Sequence, residues 1–349
     1  MIILLRRVLI LILSVWLSAS AAPVQPVKEP SVSAASAIVM DAATGTVLYR
    51  KNQDEPCAVA STTKIMTCLL ACESGKLSDT VTVDGEMLQG TEGSSANLKR
   101  GDTVTLFDLV KGAMLASGND AANAIACYLS GSTEAFAVQM NRRAAELGMQ
   151  NTCFVTPSGL DKGDHHSTAY DMALLTAAAL DNEQLAAVAS ESADSITVSG
   201  TKVNLQNHNK LLQQDSAFSG FKTGYTKKAG RCLVSTYRYE NSTIICVTLH
   251  SPDDWNDHTK LVAYAKSKYR QLTDKVTLSL PAVGGRANSI MCEYQYDISV
   301  CCDVTVKEYY YPFVYAPAYC GDTVGYVELT DDSNTLLQRV PLRVQNTIE

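Results

Sequence analysis

The sequence changes its hydrophobic pattern near Lys275, and this change constrains the fold more than any other feature. Before it, apolar segments with helical spacing alternate with short β-rich segments. After it only short alternating segments remain, such as "VTVKEYYYPFVY". At 349 residues the chain is also longer than a typical single domain. We therefore predict an α/β domain of the α+β kind over 34–274 and a small all-β, sandwich-like domain over 275–349.

The first 22 residues have the order of a secretory signal peptide. Arg6 and Arg7 precede an apolar run from Val8 to Leu17, and the small residues of "SASAA" follow. The run is short for a membrane span, so an uncleaved N-terminal anchor is the weaker alternative. Both interpretations predict an exported, extracytoplasmic protein. A linker rich in Pro, Val, Ser and Ala is predicted over 23–33.

The charge balance argues against one broad class of function. The formal net charge is -7, and removal of the two N-terminal arginines would make it more negative. Binding to a phosphate backbone requires a basic surface, so nucleic acid is not an expected partner.

The eleven cysteines form no recognisable framework, because their number is odd and no CxxC pair occurs. Cys68, Cys72 and Cys127 lie in apolar helical segments, where a thiol behaves as a small hydrophobic group. We expect mostly free, buried thiols and no zinc ribbon. The better candidates for a bridge cluster near the C-terminus, at Cys292, Cys301, Cys302 and Cys320.

The segments before Lys275 predict an antiparallel sheet covered by helices. A hairpin is expected around Asp41 to Gly45, and a meander of three strands in "GFKTGYT", "GRCLVSTYR" and "STIICVTLH". Helices are expected in "TLFDLVKGAMLA", which opens with a capping box at Thr105, and in "DAANAIACYL", "STEAFAVQMNRRAAELG" and "STAYDMALLTAAAL". "DDWNDHTKLVAYAKSKYRQL" predicts a closing helix.

The stretch "ASTTKIMTCLLACESG" predicts a buried helix from about Ser61 to Gly75. Residues three apart share a helix face, so the Lys64 amine reaches the Ser61 hydroxyl, and the helix N-terminus offers N–H groups to an oxyanion. Burial would lower the lysine pKa, as a lysine base requires. Ser199 and Lys202 have the same spacing but fall in a predicted turn. Taken alone, the first pair is better explained as two polar residues at the start of a buried helix, because Ser and Lys are common residues.

Two further motifs accompany this pair. Ser117-Gly118-Asn119 lies at a break between helices, where a hydroxyl and a carboxamide project into a cleft, although an ordinary turn has the same composition. Lys222-Thr223-Gly224 lies in a β-rich segment. A fixed cation and hydroxyl there suit a carboxylate, and Gly224 would let a ligand backbone approach closely. The alternative is a solvent-exposed strand lysine.

No metal or cofactor site is predicted. His165 and His166 are adjacent and would diverge on any regular element, with no third ligand nearby, so a surface loop is the preferred interpretation. His208, His250 and His258 are expected to be structural or solvent-facing.

The order SxxK, SxN, KTG on helix, loop and strand is the signature of serine penicillin-binding proteins and β-lactamases. The segments "FKTGYTKKAGRCLVSTYR", "NTCFVTPSGLD", "STAYDMALL", "NHNKLL" and "GSSANLKRGD" resemble those of the low-molecular-weight D-alanyl-D-alanine carboxypeptidases, peptidase family S11. "GDTVGYVELTDDSNTLLQRVPLRV" resembles the end of that family's β domain. The resemblance implies a serine β-lactamase/transpeptidase-like fold.

The resemblance also implies an activity and a role for each residue. Ser61 would attack the carbonyl between the two terminal D-alanines of a peptidoglycan stem peptide, and β-lactam antibiotics would be covalent inhibitors. Lys64 would take the serine proton and Ser117 would pass a proton to the leaving amine. Asn119 would hold the substrate amide. Lys222 and Thr223, beside Gly224, would bind the terminal carboxylate. The backbone N–H groups of Ser61 and Tyr225 would form the oxyanion hole.

Some residues depart from the family pattern. Ser219 stands where an aspartate is common, and Tyr170 where arginine is common, which affects subfamily placement. Many relatives end in an amphipathic helix, whereas this sequence stops at "RVQNTIE", so membrane attachment stays open. A β-lactamase of the same fold is the near alternative, but no E-x-x-L-N run occurs between Asn119 and Lys222. A non-catalytic wall-binding relative is the other alternative, and it would not require the Ser61–Lys64 pair.

Overall fold

The computed structural model describes residues 27–349, so the predicted signal peptide and the first part of the linker lie outside the described residues. The described chain divides into two compact units, Val27–Lys268 and Tyr269–Glu349. The first strand of the second unit begins at Arg270 and runs to Val283. The boundary predicted at Lys275 therefore falls inside a strand.

The elements of the first unit alternate between strands and helices. The strands are β1 (Ser36–Asp41), β2 (Val47–Lys51), β3 (Thr80–Thr82), β4 (Thr103–Thr105), β5 (Ala193–Val198), β6 (Thr201–Gln206), β7 (Phe218–Thr226), β8 (Gly230–Tyr239) and β9 (Ser242–Leu249). The helices are α1 (Lys64–Glu73), α2 (Leu106–Met114), α3 (Asn119–Ser130), α4 (Thr133–Glu146), α5 (Ala169–Leu180), α6 (Glu183–Ser190), α7 (Leu211–Gln214) and α8 (Asp254–Lys266).

The main sheet has five antiparallel strands in the order β2-β1-β9-β8-β7, which leaves β7 at one edge. The β1–β2 hairpin forms as predicted: the Asp41 carboxylate accepts hydrogen bonds from the N–H and hydroxyl of Thr44, and Gly45 has φ 69°. Strands β7, β8 and β9 form the predicted meander. The edge position of β7 leaves one side of the strand that carries Lys222 unpaired within this sheet.

Helix α2 begins at the predicted cap, Thr105, and α5 begins at a cap of the same kind, Thr168. The Thr105 and Thr168 side chains accept hydrogen bonds from the N–H groups of Asp108 and Asp171, at the starts of α2 and α5. Helix α1 is buried along most of its length, because its apolar residues face the core on every side. The predicted closing helix ends earlier than expected, at Lys266, because the chain then enters the first strand of the second unit.

The second unit contains β10 (Arg270–Val283), β11 (Ser289–Val300), β12 (Thr305–Tyr310), β13 (Val314–Tyr315), β14 (Thr323–Thr330) and β15 (Leu336–Val344). All six join one sheet in the order β12-β14-β15-β11-β10-β13, so the predicted all-β domain is confirmed but consists of one sheet and not of a sandwich. One face of this sheet buries its own core, which includes Ile290, Cys292, Val327 and Leu342. Cys292 and Cys320, two of the predicted bridge candidates, are free thiols.

Among residues 27–349, no helix has the length and apolar character needed to cross a membrane. The same residues contain no group of three potential metal ligands from His, Cys, Asp and Glu side chains.

Candidate active site

Ser61 lies in a 3₁₀ turn, Ala60–Thr63, that leads directly into α1. Two glycines pack against this turn. A Cβ on Gly159 would lie 1.9 Å from the Ala60 carbonyl oxygen, and a Cβ on Gly224 would lie 3.0 Å from the Ser61 nitrogen. At Gly224 the sequence predicted the close approach of a ligand backbone, and in the structure it is the turn carrying Ser61 that approaches closely. Strand β7 and the Ser61 turn are in direct contact as a result.

Lys64 is fully buried and makes three hydrogen bonds through its Nζ. The acceptors are Ser61 Oγ at 2.8 Å, Asn119 Oδ1 at 2.7 Å and the Ser158 carbonyl at 2.7 Å. The last two oxygens only accept, whereas a serine hydroxyl both donates and accepts. A neutral amine would satisfy Asn119 and Ser158 with its two N–H groups and keep its lone pair for the Ser61 proton. This is the geometry of a nucleophile beside its base.

The electrostatics of the site favour that neutral amine. Burial lowers the pKa of Lys64 well below its ordinary value, and the nearby charge of Lys222 lowers it further. No carboxylate among residues 27–349 forms a salt bridge with either lysine. Because the lowered pKa makes the neutral amine accessible, Lys64 has a lone pair that accepts the serine proton.

The segment that contains Glu92 and Ser94 orients Asn119 through hydrogen bonds. Its Nδ2 donates to the Glu92 carbonyl at 2.6 Å, which turns Oδ1 toward Lys64. Its backbone N–H donates to the Ser94 carbonyl. Asp120, the next residue, holds the same segment: its carboxylate accepts from the N–H groups of Ala96, Leu98 and Ala121 and from the Ser95 hydroxyl. The "GSSANLKRGD" segment therefore supports the amide that contacts Lys64.

Ser117 lies at the break between α2 and α3, as predicted, and is buried with φ 57°. Ser117 precedes Asn119 by two residues in the sequence. Among the described residues, no hydrogen bond joins its hydroxyl to Ser61 or Lys64. Ser117 is therefore near the site through its place in the chain and not through a hydrogen bond to the nucleophile or the base.

Lys222 is buried on β7, at 1% exposure, and its Nζ donates only to the adjacent Thr223 carbonyl among the described residues, at 3.2 Å. This overturns the alternative of a solvent-exposed strand lysine. Burial lowers its pKa to about 8. An anionic ligand would offset the cost of the buried cation, so the position suits a carboxylate. Thr223 is half-buried beside it, and Tyr225 is 67% exposed two residues further on.

In the competing pair, Ser199 lies in the turn between β5 and β6, and Lys202 is the second residue of β6. Ser199 and Gly200 connect β5 to β6 and both have positive φ. The Ser199 hydroxyl donates to Asp102, and Lys202 is exposed. The predicted turn is confirmed at Ser199 and Gly200, and no helix brings the Ser199 and Lys202 side chains together.

His165 is not a surface residue, and its assignment to a surface loop was wrong. It is 4% exposed, whereas the adjacent His166 is half-buried, so the two rings diverge as predicted. His165 bonds to the N–H of Val155 and to Thr63 Oγ1. The sequence signal for its burial is weak, because "DKGDHHST" is polar and rich in turn-forming residues.

Sequence reasoning also assigned no role to Ser158, Gly159 or Asp120. The "PSG" tripeptide predicts a turn, but not that the turn carbonyl would reach Lys64. Asp120 follows Asn119 directly, which resembles an ordinary helix start.

Comparison with known proteins agrees with this geometry. A family model described as D-alanyl-D-alanine carboxypeptidase, peptidase S11, matches residues 23–253. This chain belongs to the S11 family. The predicted family, fold class and enzyme class, a serine-type carboxypeptidase, are thereby confirmed at the level of the family.

Two curated S11 relatives illustrate the similarity. The D-alanyl-D-alanine carboxypeptidase DacF of Bacillus subtilis is 38% identical over 68% of this chain and 63% of its own length. DacC of Escherichia coli is 34% identical over 93% of this chain and 86% of its own length. The chain thus spans somewhat less than two thirds of the first relative and most of the second.

Solved structures of S11-like enzymes share the fold. The D-alanyl-D-alanine carboxypeptidase DacD of Francisella tularensis is 26% identical, with a TM-score of 0.66 over 95% of this chain and 97% of the other. The Streptomyces K15 DD-transpeptidase is 32% identical, with a TM-score of 0.65 over 68% of this chain and 99% of the other. The similarity to the Francisella tularensis DacD extends over both units of this protein.

Proposed function

We propose that this protein removes the terminal D-alanine from peptidoglycan stem pentapeptides through an acyl-enzyme on Ser61. The observation that carries the proposal is the Lys64 amine, which lies 2.8 Å from Ser61 Oγ and is fixed by two acceptor-only oxygens. Family membership and the names of the relatives support the substrate.

The first step is acylation. The terminal carboxylate binds at Lys222 and Thr223, which places the scissile carbonyl over Ser61. Lys64 takes the Ser61 proton as Oγ attacks the carbonyl carbon, and the backbone N–H groups of Ser61 and Tyr225 stabilise the oxyanion. The packing of Gly224 against the Ser61 nitrogen supports this pairing of N–H groups.

The second half of the reaction releases both products. The Ser117 hydroxyl gives its proton to the leaving D-alanine amine and takes in return the proton that Lys64 removed from Ser61. The C–N bond then breaks to give the acyl-enzyme, and Lys64 is neutral again. Asn119 holds the substrate amide while its Oδ1 contacts Lys64. Water then attacks the ester carbonyl, which regenerates Ser61 and releases the shortened peptide.

β-Lactams would acylate the same serine, since their amide carbonyl would occupy the same place. The missing E-x-x-L-N run supports slow deacylation and hence a penicillin target rather than a β-lactamase. The substrate is a wall polymer and the first 22 residues resemble a signal peptide, so we also propose that the protein is exported to the cell wall or the outer face of the cytoplasmic membrane.

One experiment tests this function. The purified protein is incubated with a labelled penicillin, the adduct is mapped by mass spectrometry, and D-alanine release is measured on a pentapeptide ending in D-Ala-D-Ala. We expect the adduct on Ser61, release of one D-alanine, and loss of both in Ser61→Ala. Ser199→Ala is the matched control and should retain both. An adduct elsewhere, or no adduct and no D-alanine, contradicts the proposal.

A further inference from the structure

The His165 ring lies between two segments that build the site, and its hydrogen bonds fix its tautomer. Nδ1 accepts the Val155 N–H at 3.0 Å and lies 3.3 Å from the Thr156 nitrogen. Nε2 lies 2.8 Å from Thr63 Oγ1. Backbone N–H groups only donate, so Nδ1 is the acceptor and Nε2 carries the hydrogen. His165 therefore donates to the Thr63 hydroxyl.

The two segments joined by this ring hold the nucleophile and its base. Thr63 lies in the turn between Ser61 and Lys64. Val155 and Thr156 start the loop whose Ser158 carbonyl accepts from Lys64 Nζ. The Thr156 hydroxyl in turn accepts the N–H of Gly159 at 3.1 Å, so the bracing extends to the glycine that packs on the turn.

Burial keeps this ring in the form that the contacts require. His165 is 4% exposed, and burial lowers its pKa to about 4. A protonated Nδ1 would point its hydrogen at two other donors. Near neutral pH the ring is uncharged and both contacts persist.

We propose that His165 is a positioning residue for acylation, because its imidazole ties the Ser61–Lys64 turn to the Ser158–Gly159 loop. The tie holds Lys64 Nζ within hydrogen-bond distance of both Ser61 Oγ and the Ser158 carbonyl. His165 acts through Thr63 and the loop and does not contact substrate. This inference rests on the proposed roles of Ser61 and Lys64.

The test separates acylation from binding in two variants of the full chain. In His165→Asn the shorter amide keeps an acceptor for the Val155 N–H but does not reach the Thr63 hydroxyl. In His165→Gln the longer amide reaches the Thr63 hydroxyl but offers no acceptor to the Val155 N–H. Each variant should slow the first-order acylation of Ser61 by penicillin about 10- to 100-fold, since small misplacements of reacting groups cost rates of this order. The dissociation constant of the non-covalent complex should stay within about twofold, because the carboxylate site at Lys222 is unchanged.

His258→Asn provides a matched control. His258 is also fully buried, with ring nitrogens bonded to the hydroxyls of Ser235 and Thr248, away from the Ser61 turn. It should lose comparable stability yet acylate at the rate of the unmodified protein. Equal slowing in His258→Asn, or unchanged acylation in both His165 variants, overturns the inference.

A second pair of variants covers the case in which the His165 variants fail to fold. Thr63→Val keeps the side-chain shape but removes the hydroxyl, and it should reproduce the loss of acylation rate. Thr63→Ser restores the hydroxyl and should recover most of that rate. Equal rates in the two variants also overturn the inference. If the unmodified protein itself forms no Ser61 adduct, the proposed function fails and this inference falls with it.

Discussion

The Oδ1 atom of Asn119 lies 2.7 Å from Lys64 Nζ. The orientation of the Asn119 amide is fixed, because its Nδ2 donates to the Glu92 carbonyl. Helix α3 thus presents an acceptor without charge to a buried lysine. A carboxylate in the same place would stabilise the protonated amine. The neutral amide therefore helps Lys64 remain a base.

Asn119→Asp tests this relationship. The new carboxylate should raise the pKa of Lys64, so at pH 7 more of the lysine is protonated and Ser61 acylation slows by about 10-fold or more. The acidic limb of the rate profile should move to higher pH. Asn123→Asp is the control, since Asn123 lies on the same helix and donates to the Gln89 carbonyl. An Asn119→Asp profile with an unmoved limb contradicts the prediction.

Lys222→Ala should weaken substrate binding through the loss of the carboxylate partner. For a peptide ending in D-Ala-D-Ala we expect kcat/KM to fall about 100-fold, which is typical of a charge-assisted hydrogen bond removed from a buried site. The same peptide with a C-terminal amide should react poorly with the unmodified protein and lose little more in the variant. Lys202→Ala, at an exposed lysine, serves as the control. Equal losses for acid and amide peptides would argue against this role.

Gly159→Ala should destabilise the first unit strongly. Gly159 has φ +85°, and an added Cβ would lie 1.9 Å from the Ala60 carbonyl oxygen, so both backbone strain and overpacking oppose the alanine. We expect a loss of about 3 kcal/mol in the free energy of unfolding. Gly163→Ala is the control, because Gly163 has φ +54° and nothing within 4 Å, and it should cost about 1 kcal/mol. Urea denaturation distinguishes the two, and similar losses would contradict the packing argument.

The sequence predicted the elements and motifs of the first unit better than the contacts between them. The hairpin at Asp41, the cap at Thr105 and the turn at Ser199 depend on neighbouring residues, and their local patterns were sufficient. The Ser158 carbonyl and His165 reach the site from about a hundred residues away. Their roles depend on long-range packing, which no local pattern encodes.

The second unit shows the same limit. Alternating segments predicted strands correctly, but they do not determine whether six strands form one sheet or two. The structure resolves this through β11, which pairs with both β10 and β15. The second unit begins at Tyr269, slightly before the boundary expected near Lys275, and β10 starts at Arg270 among polar residues that resemble the end of a helix.

The stability of the first unit should fall as the pH is lowered from about 6.5 toward 3. Burial lowers the pKa of His258 to about 3 in the folded protein, whereas the unfolded chain has an ordinary histidine pKa of about 6.5. The unfolded state therefore binds the proton first, and the stabilisation present above pH 6.5 is lost as the pH falls through this window. Since each pKa unit is worth about 1.4 kcal/mol, the difference between the unfolded and folded pKa values corresponds to roughly 5 kcal/mol over the whole window.

His258→Gln should be less stable than the unmodified protein at pH 7.5, because a glutamine cannot bridge both hydroxyls. The difference in free energy of unfolding should narrow by pH 4.5, since only the histidine is penalised by protonation. His250→Gln is the control, at an exposed histidine whose Nδ1 contacts the Ala229 carbonyl outside the buried core. Urea denaturation at the two pH values measures these differences. A constant gap between His258→Gln and the unmodified protein would show that the buried imidazole does not contribute to the acid sensitivity.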